Sequence, residues 1–254
     1  MKIIASWGTS GAGKTTIALA VAAELVRRHK DVLVIGTDTK TPMLPVYLPN
    51  NNKLDRKNSL GPVFEQAEVT EGALKDKMIQ HPQSDRLYFM GLASGELSGI
   101  TYKVPDRTSI LSLFDTLRQS PFSYCIVDCD SNPVLEPVTL LSLELADIVL
   151  RTTTPDVRGH ESMLAQLHWL GNSEDTFHIG RHIRLISPVY DYTPLAEFEA
   201  LEGPAFLNLP WAVQVAERQL AGQLLHGFDS RDGLKFERMV ASLVDRIEGD
   251  THHG

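Results

Sequence analysis

Residues near the N-terminus have the types and spacing of a phosphate-binding loop. Positions 8–15 read GTSGAGKT and match G-x-x-x-x-G-K-[ST] without a mismatch. In such a loop the backbone N–H groups point at phosphate oxygens, and the next helix presents its positive N-terminal end to the same anion. We expect Lys14 to reach the β- and γ-phosphates, Thr15 to bind Mg²⁺ and Thr16 to support the α-phosphate. The candidate nucleotide-binding residues are Gly8, Thr9, Ser10, Gly11, Ala12, Gly13, Lys14, Thr15 and Thr16.

The alternative for this segment is a flexible loop that merely joins a strand to a helix. Average residue frequencies produce the pattern in a chain of this length on the order of once in a hundred. Here it follows an apolar run and opens an Ala- and Leu-rich stretch, which is the context that the motif requires. The sequence therefore favours nucleotide binding.

Carboxylates that could serve the metal or a water follow two other apolar runs. Asp128 ends the run 122–128 and is the candidate for holding the Mg²⁺ shell through water. Asp130 could assist, or it could cap the next segment. Asp38 follows the run 31–36 and could orient an attacking water or contact the metal, or it could be an ordinary turn residue.

The elements that must position these residues follow an alternating pattern. Short apolar runs alternate with helical stretches, which predicts an α/β fold: a mostly parallel β-sheet with helices on both faces. A loop is expected from about 37 to 60 and another at 94–106. The predicted strands are 2–7, 31–36, 86–91, 122–128, 146–152, 184–187 and 205–209, and the predicted helices are 15–28, 61–80, 109–119, 157–170, 214–225 and 234–247.

Composition limits the classes that remain. The chain has 254 residues, 43% of them hydrophobic, and a formal net charge of −8, which disfavours a strongly basic nucleic-acid binder. Its two cysteines, Cys125 and Cys129, lie in one apolar segment and are interpreted as buried thiols in a reducing compartment. No apolar run reaches the ~20 residues of a membrane span. We expect one cytoplasmic domain over residues 1–254, with a disordered tail from about 249.

The motifs together resemble the MinD/ParA family of deviant Walker A P-loop ATPases. The segment after the second strand resembles the family's D-x-D, with Gly36 at its first position and Asp38 at its second. Residues 122–128 look like its Walker B strand, 146–156 like its A-D…T-N-P-E stretch, and 207–211 like the late strand and loop beside adenine. The resemblance implies ATP and Mg²⁺ as cofactors, a nucleotide-dependent homodimer, hydrolysis with Lys14 and Asp38 as catalytic residues, and Pro210 and Trp211 at the base.

One departure concerns the family's signature lysine, which crosses the dimer interface to the partner's nucleotide. The same position here is Thr9, a departure that resembles TadZ/CpaE-like members, which position pilus or secretion machines. Lys40 and Arg151 lie in loops from which a substitute charge could come. The expected function is a switch ATPase that positions a cellular assembly and binds a further protein.

Other functions stay open. Residues 151–254 contain 9 Lys plus Arg against 15 Asp plus Glu, which argues against DNA binding, although a small patch of Arg181, His182 and Arg184 remains possible. The alternatives are a ParA-type partition ATPase, a nucleotide-binding scaffold without turnover, and a small-molecule kinase or synthetase. The final helix, 236–247, is expected to pack on the core and not on lipid.

Overall fold

A computed structural model describes residues 1–51, 54, 56–171 and 179–249. The tail that we expect to be disordered lies, from residue 250 on, outside the described residues. The strands within the described part are β1 (Lys2–Gly8), β2 (Val32–Gly36), β3 (Ile79–Gln80), β4 (Leu87–Met90), β5 (Tyr124–Asp128), β6 (Ile148–Thr153), β7 (His182–Val189) and β8 (Leu207–Pro210). The α-helices there are α1 (Lys14–Arg27), α2 (Leu44–Tyr47), α3 (Gly61–Phe64), α4 (Glu71–Lys75), α5 (Arg107–Arg118), α6 (Pro137–Leu145), α7 (Val157–Gly171), α8 (Leu195–Glu202), α9 (Val213–Leu220) and α10 (Arg231–Gly249).

These strands form one sheet in the order β3-β4-β2-β5-β1-β6-β7-β8. Each neighbouring pair is parallel except β3 with β4, which is antiparallel. Helices α1 and α10 pack on one face of the sheet, and α5 and α6 on the other. The predicted α/β class with a mostly parallel sheet is confirmed.

The register brings the candidate residues to one edge. β5 lies between β1 and β2, and Asp128 is paired with Ser6 on one side and with Gly36 on the other. Because the strands run parallel, their carboxyl ends meet at the same edge, where open α/β sheets bind ligands. The loops after β1, β2 and β5 therefore converge.

Helix α1 is fixed to α10 by a charged contact as well as by apolar packing. The alanines of α1 are buried, and so is Glu24, one turn before the end of the helix. Glu24 accepts hydrogen bonds from Arg27 and Arg28, and Arg28 also reaches Asp245 and Glu248 on α10. On α10 the apolar stripe of Phe236, Val240 and Leu243 is buried in the same layer, as expected for a core helix.

Several short elements differ from the prediction. The expected helix over 61–80 is wrong: the segment consists of α3, α4 and the edge strand β3, joined by turns. The helix expected over 214–225 ends at Leu220, and residues 221–225 turn back towards the sheet. α2 lies within the predicted 37–60 loop, and the prediction lacks α6 and α8. These pieces are too short to show a helical period.

Both cysteines are buried free thiols, as predicted. Burial raises the pKa of Cys125 to about 12 and raises that of Cys129 further, so both stay protonated. Among the described residues, no helix combines the length and the apolar character that crossing a membrane requires.

Candidate functional site

The loop between β1 and α1 has the conformation that its glycines allow. Gly8 packs so tightly on β6 that a Cβ there would lie 1.9 Å from the Thr152 carbonyl oxygen. Gly11 and Gly13 have φ of +79° and +76°, in the left-handed region that disfavours other residues. Gly13 is the N-cap of α1, so the loop ends where the helix presents its free N–H groups.

Lys14 lies in the first turn of α1 and reaches across the loop. Its Nζ donates a hydrogen bond to Ser131 Oγ at 2.5 Å and lies 3.5 Å from the Thr9 carbonyl oxygen. Ser131 is in the loop after β5, next to Asp130. The lysine therefore spans the space between the phosphate-binding loop and the end of β5. Its amine contacts two uncharged oxygens, which an anion could replace.

Thr9 points away from this space. Its side chain is only 2% exposed, and its Oγ1 accepts a hydrogen bond from the Thr154 backbone N–H at 3.1 Å. Its own N–H donates to the Thr152 carbonyl at 3.0 Å. The hydroxyl thus ties the loop to the end of β6. Ala12 is also buried, and its N–H donates to the Thr9 carbonyl at 3.2 Å, whereas Ser10 is exposed at the tip of the loop.

Asp128 ends β5 as a buried carboxylate between two hydroxyl groups. Thr15 from α1 hydrogen-bonds to it, and the Tyr47 hydroxyl from α2 donates to its Oδ2 at 3.0 Å. Burial raises the pKa of Asp128 to about 6, although both hydroxyls and the charge of Lys14 oppose the shift. Burial and the neighbouring carboxylate raise the pKa of Tyr47 well above its usual value, so the phenol is the donor.

Asp38 lies in the loop after β2 as a turn-forming carboxylate. Its Oδ1 accepts hydrogen bonds from the N–H groups of Lys40 and Thr41, at 2.9 and 2.8 Å. The charge of Asp38 contributes to the raised pKa of both Asp128 and Asp130, so the three carboxylates share one region. Asp130 accepts a hydrogen bond from the Asn132 N–H at 2.7 Å, within the turn that follows β5.

The two cations considered as substitutes for the lysine differ in exposure: Lys40 is exposed, whereas Arg151 is partly buried. Lys40 makes an ion pair of 2.8 Å with the buried Glu136, which raises the lysine's pKa. Arg151 lies on β6, where desolvation lowers its pKa. Arg184 of the possible basic patch is also buried, and it pairs with Glu202 at 2.8 Å.

A cavity of about 260 Å³ opens beside the phosphate-binding loop. Pro210 and Trp211, expected at the base, line it together with Gly11, Gly13 and Thr16. The Thr16 hydroxyl is hydrogen-bonded to Gln219 of α9 at 2.6 Å.

Tyr190, which the sequence analysis missed, also lines the cavity and stacks on Trp211 with ring centroids 5.9 Å apart. A lone tyrosine after a strand carries no signal that could have revealed it.

The donor set suits a magnesium–nucleotide complex. Within the described residues no group of three or more His, Cys, Asp or Glu side chains could enclose a metal. Mg²⁺ is commonly held by one or two protein oxygens together with waters and substrate phosphates, and Thr15 and Asp128 provide such oxygens. A divalent cation would also compensate the buried charge of Asp128.

Comparisons with known proteins agree with this arrangement. The sequence model of the CobQ/CobB/MinD/ParA nucleotide binding domain matches residues 3–251. The septum site-determining protein MinD of Escherichia coli strain K12 is 25% identical over 158 residues, which are 61% of this chain and 53% of that protein. The chain thus spans about half the length of the curated relatives that it matches.

Two solved structures share the fold. The ParA family ATPase from Chlorobium tepidum TLS gives a TM-score of 0.73 at 16% identity, over 95% of this chain and 98% of that one. The MinD protein from Pyrococcus horikoshii OT3, solved with Mg-ADP, gives 0.73 at 17% identity, over 98% and 97%. At these identities the likeness concerns the fold alone.

Proposed function

Since the chain belongs to the CobQ/CobB/MinD/ParA family of nucleotide-binding domains, we propose that it is a cytoplasmic ATP-dependent switch that binds ATP with Mg²⁺. The observation that carries the proposal is the convergence of the glycine loop, Lys14, Thr15 and Asp128 at one edge of the sheet. The P. horikoshii relative holds Mg-ADP, which supports the same ligand class here.

The phosphates would lie against residues 8–14. The free N–H groups at the start of α1 and the Lys14 ammonium both favour negative charge there. Lys14 would leave Ser131 for the phosphates. Thr15 would bind Mg²⁺ directly, and Asp128 would hold it through water. When bound, Mg²⁺ would neutralise charge on the phosphate oxygens.

The base would enter the cavity beside the loop. Pro210 and Trp211 form one wall, and Tyr190 backs the indole. Few polar side chains line the cavity, so stacking and apolar contact would dominate recognition there.

Hydrolysis would be in-line attack of water on the γ-phosphate. Asp38 would orient the water through Oδ2, because Oδ1 already accepts two backbone hydrogen bonds. Lys14 would stabilise the charge that develops on the transferred group. With a threonine at position 9 no side chain from that position can reach a partner's nucleotide, so we expect slow turnover.

Dimerisation is supported by apolar side chains around the same edge. They are exposed in the loops after β4 and β5 and at the first residue of α7; Ile100 is 78% exposed and Leu135 67%. Parallel strands deliver these loops to the phosphate-binding edge. A second copy seated face to face would cover them. The members of this apolar rim are Leu97, Ile100, Val104, Val134, Leu135 and Val157.

The cellular role that we favour is positioning an assembly such as pilus or secretion machinery, with a further protein partner. Thr9 and the acidic balance of residues 151–254 favour this role over DNA partition. A small-molecule kinase or synthetase has less support, because we identify no substrate-binding residue set beside the expected γ-phosphate position.

A nucleotide-binding scaffold without turnover is the second candidate. The specific observation is that both side chains already have structural roles. Asp38 accepts a hydrogen bond within its own turn, and the buried Thr9 hydroxyl accepts one from the backbone at the end of β6. Equilibrium binding of a fluorescent ATP analogue, with phosphate release measured in parallel, distinguishes the two. The switch predicts Mg²⁺-dependent binding with measurable release, whereas the scaffold binds equally well and releases none. Absence of binding would contradict both.

A further inference from the structure

Tyr47 is a buried tyrosine whose hydroxyl is directed at the site. It ends the short helix α2, is 2% exposed, and stacks on Phe89 with ring centroids 5.0 Å apart. Its hydroxyl donates to Asp128 Oδ2 at 3.0 Å. A buried phenol bonded to a buried carboxylate is costly to assemble unless the pair is matched.

The neighbouring backbone is shaped to admit this phenol. A Cβ on Gly36 would lie 2.8 Å from the Tyr47 hydroxyl and 2.4 Å from the Met43 Cβ. Gly36 is paired with Asp128 across β2 and β5. Absence of a side chain at position 36 therefore opens the space through which Tyr47 reaches the carboxylate.

The carboxylate is thus held from two sides. Thr15 approaches from α1 and Tyr47 from α2. α2 is fixed by the Leu44 N–H, which donates to the Leu92 carbonyl at 3.2 Å. With one oxygen engaged by the phenol, rotation of the carboxylate about its terminal bond is restricted.

We propose that Tyr47 is a positioning residue that orients Asp128 towards the Mg²⁺ shell of the bound nucleotide. The proposal rests on the proposed function. Tyr47 touches neither nucleotide nor metal; it acts by fixing which way the carboxylate faces. Its loss should weaken the contribution of Mg²⁺ to nucleotide binding and leave metal-free binding as it was.

The test is Tyr47→Phe, which keeps the ring and its stacking on Phe89. Affinity for a fluorescent ADP analogue is titrated in EDTA and at increasing Mg²⁺. We expect the Mg²⁺ concentration at half-effect to rise about 10-fold to 100-fold, the range for losing one hydrogen bond to a charged group. Affinity in EDTA should stay within about twofold of wild type, because the free nucleotide contacts other residues.

Tyr124→Phe is the matched control. Tyr124 is also a mostly buried tyrosine, but it begins β5, and Asp128 ends that strand. We expect its Mg²⁺ dependence to equal that of wild type. In an Asp128→Asn background, Tyr47→Phe should cause no further loss if it acts through that carboxylate.

An unchanged Mg²⁺ dependence in a folded Tyr47→Phe protein would overturn the proposal, as would a full additional loss in the Asp128→Asn background. Thermal unfolding of each variant establishes folding. If wild-type protein binds no nucleotide at all, the proposed function fails, and this outcome is distinct from equal Mg²⁺ responses in wild type and variant.

Discussion

Position 9 holds a buried threonine. Its hydroxyl and N–H both bond to the end of β6, so the residue acts within the chain. This assignment separates a structural role for Thr9 from the nucleotide-contacting role that the sequence pattern suggests. The two roles predict different effects of the same substitution.

Thr9→Val removes the hydroxyl and keeps the side-chain shape. We expect the free energy of unfolding of the ligand-free protein to fall by about 1–2 kcal/mol, because the Thr154 N–H loses its acceptor. Nucleotide affinity should stay within about threefold. Chemical denaturation and equilibrium binding check the two quantities. A large loss of affinity at unchanged stability would show that the hydroxyl contacts the ligand.

Lys14→Met tests the loop's main charge. We expect affinity for ATP to fall by about 10- to 100-fold, the equivalent of a charge-assisted contact to phosphate. Lys75→Met, on the exposed surface of α4, is the control and should bind as wild type does. Calorimetric titration measures both. Equal affinities of Lys14→Met and wild type would contradict the assignment of the loop.

At the scale of elements, the site depends on helices that charged contacts hold in place. Glu24 accepts a hydrogen bond from Arg28, at the end of α1, and Arg28 also donates to Asp245 of α10. Burial acts to raise the pKa of Glu24, but its hydrogen bonds and charge interactions with Arg27 and Arg28 outweigh it, and the pKa is lowered. These contacts fix the C-terminal end of α1 to α10, at the end of the helix opposite the glycine loop.

Glu24→Gln should lower the free energy of unfolding by about 2 kcal/mol near neutral pH. The folded-state pKa is depressed below 4.5. The stabilisation from Glu24 is therefore fully present above pH 4.5 and is lost as the pH falls through the folded pKa. Denaturant unfolding at several pH values should show wild type and variant converging in acid. Glu161→Gln, on the exposed side of α7, should show no such gap.

The elements that could be predicted from the sequence are the long ones with a regular local pattern. β1, α1 and β5 could be predicted because continuous apolar runs and an Ala-rich helix carry local signals. The segment 61–80 could not be predicted, since α3 packs on Tyr102 and β3 pairs with β4, both of which lie outside the segment. Gly8 to Thr16 were predicted as candidates from a motif and Asp128 from the end of an apolar run, whereas Tyr47 and Tyr190 reach the site only through tertiary packing.

At the scale of the whole molecule, the apolar rim surrounds the phosphate-binding edge. Its six exposed apolar side chains lie in the loops after β4 and β5 and at the start of α7. A partner copy would bury them together with the nucleotide. Self-association would then depend on the ligand, which is how the proposed switch would work.

Ile100→Asp should weaken ATP-dependent self-association at least about tenfold, because a charge would enter an apolar contact. Nucleotide binding by the monomer should be unchanged. Leu201→Asp is the control: Leu201 is also exposed, but it lies near the end of α8, just before β8 begins at the edge opposite the phosphate-binding loop. Dimerisation equally strong in both variants would exclude the rim as the interface.

The most direct test of the account is sedimentation velocity with parallel phosphate release, on wild type and Asp38→Ala, with ATP, with ADP and without nucleotide. We predict that wild type dimerises only with ATP and releases phosphate, and that Asp38→Ala remains dimeric with ATP and releases none. A wild-type protein that binds ATP yet stays monomeric and releases no phosphate would contradict the switch mechanism.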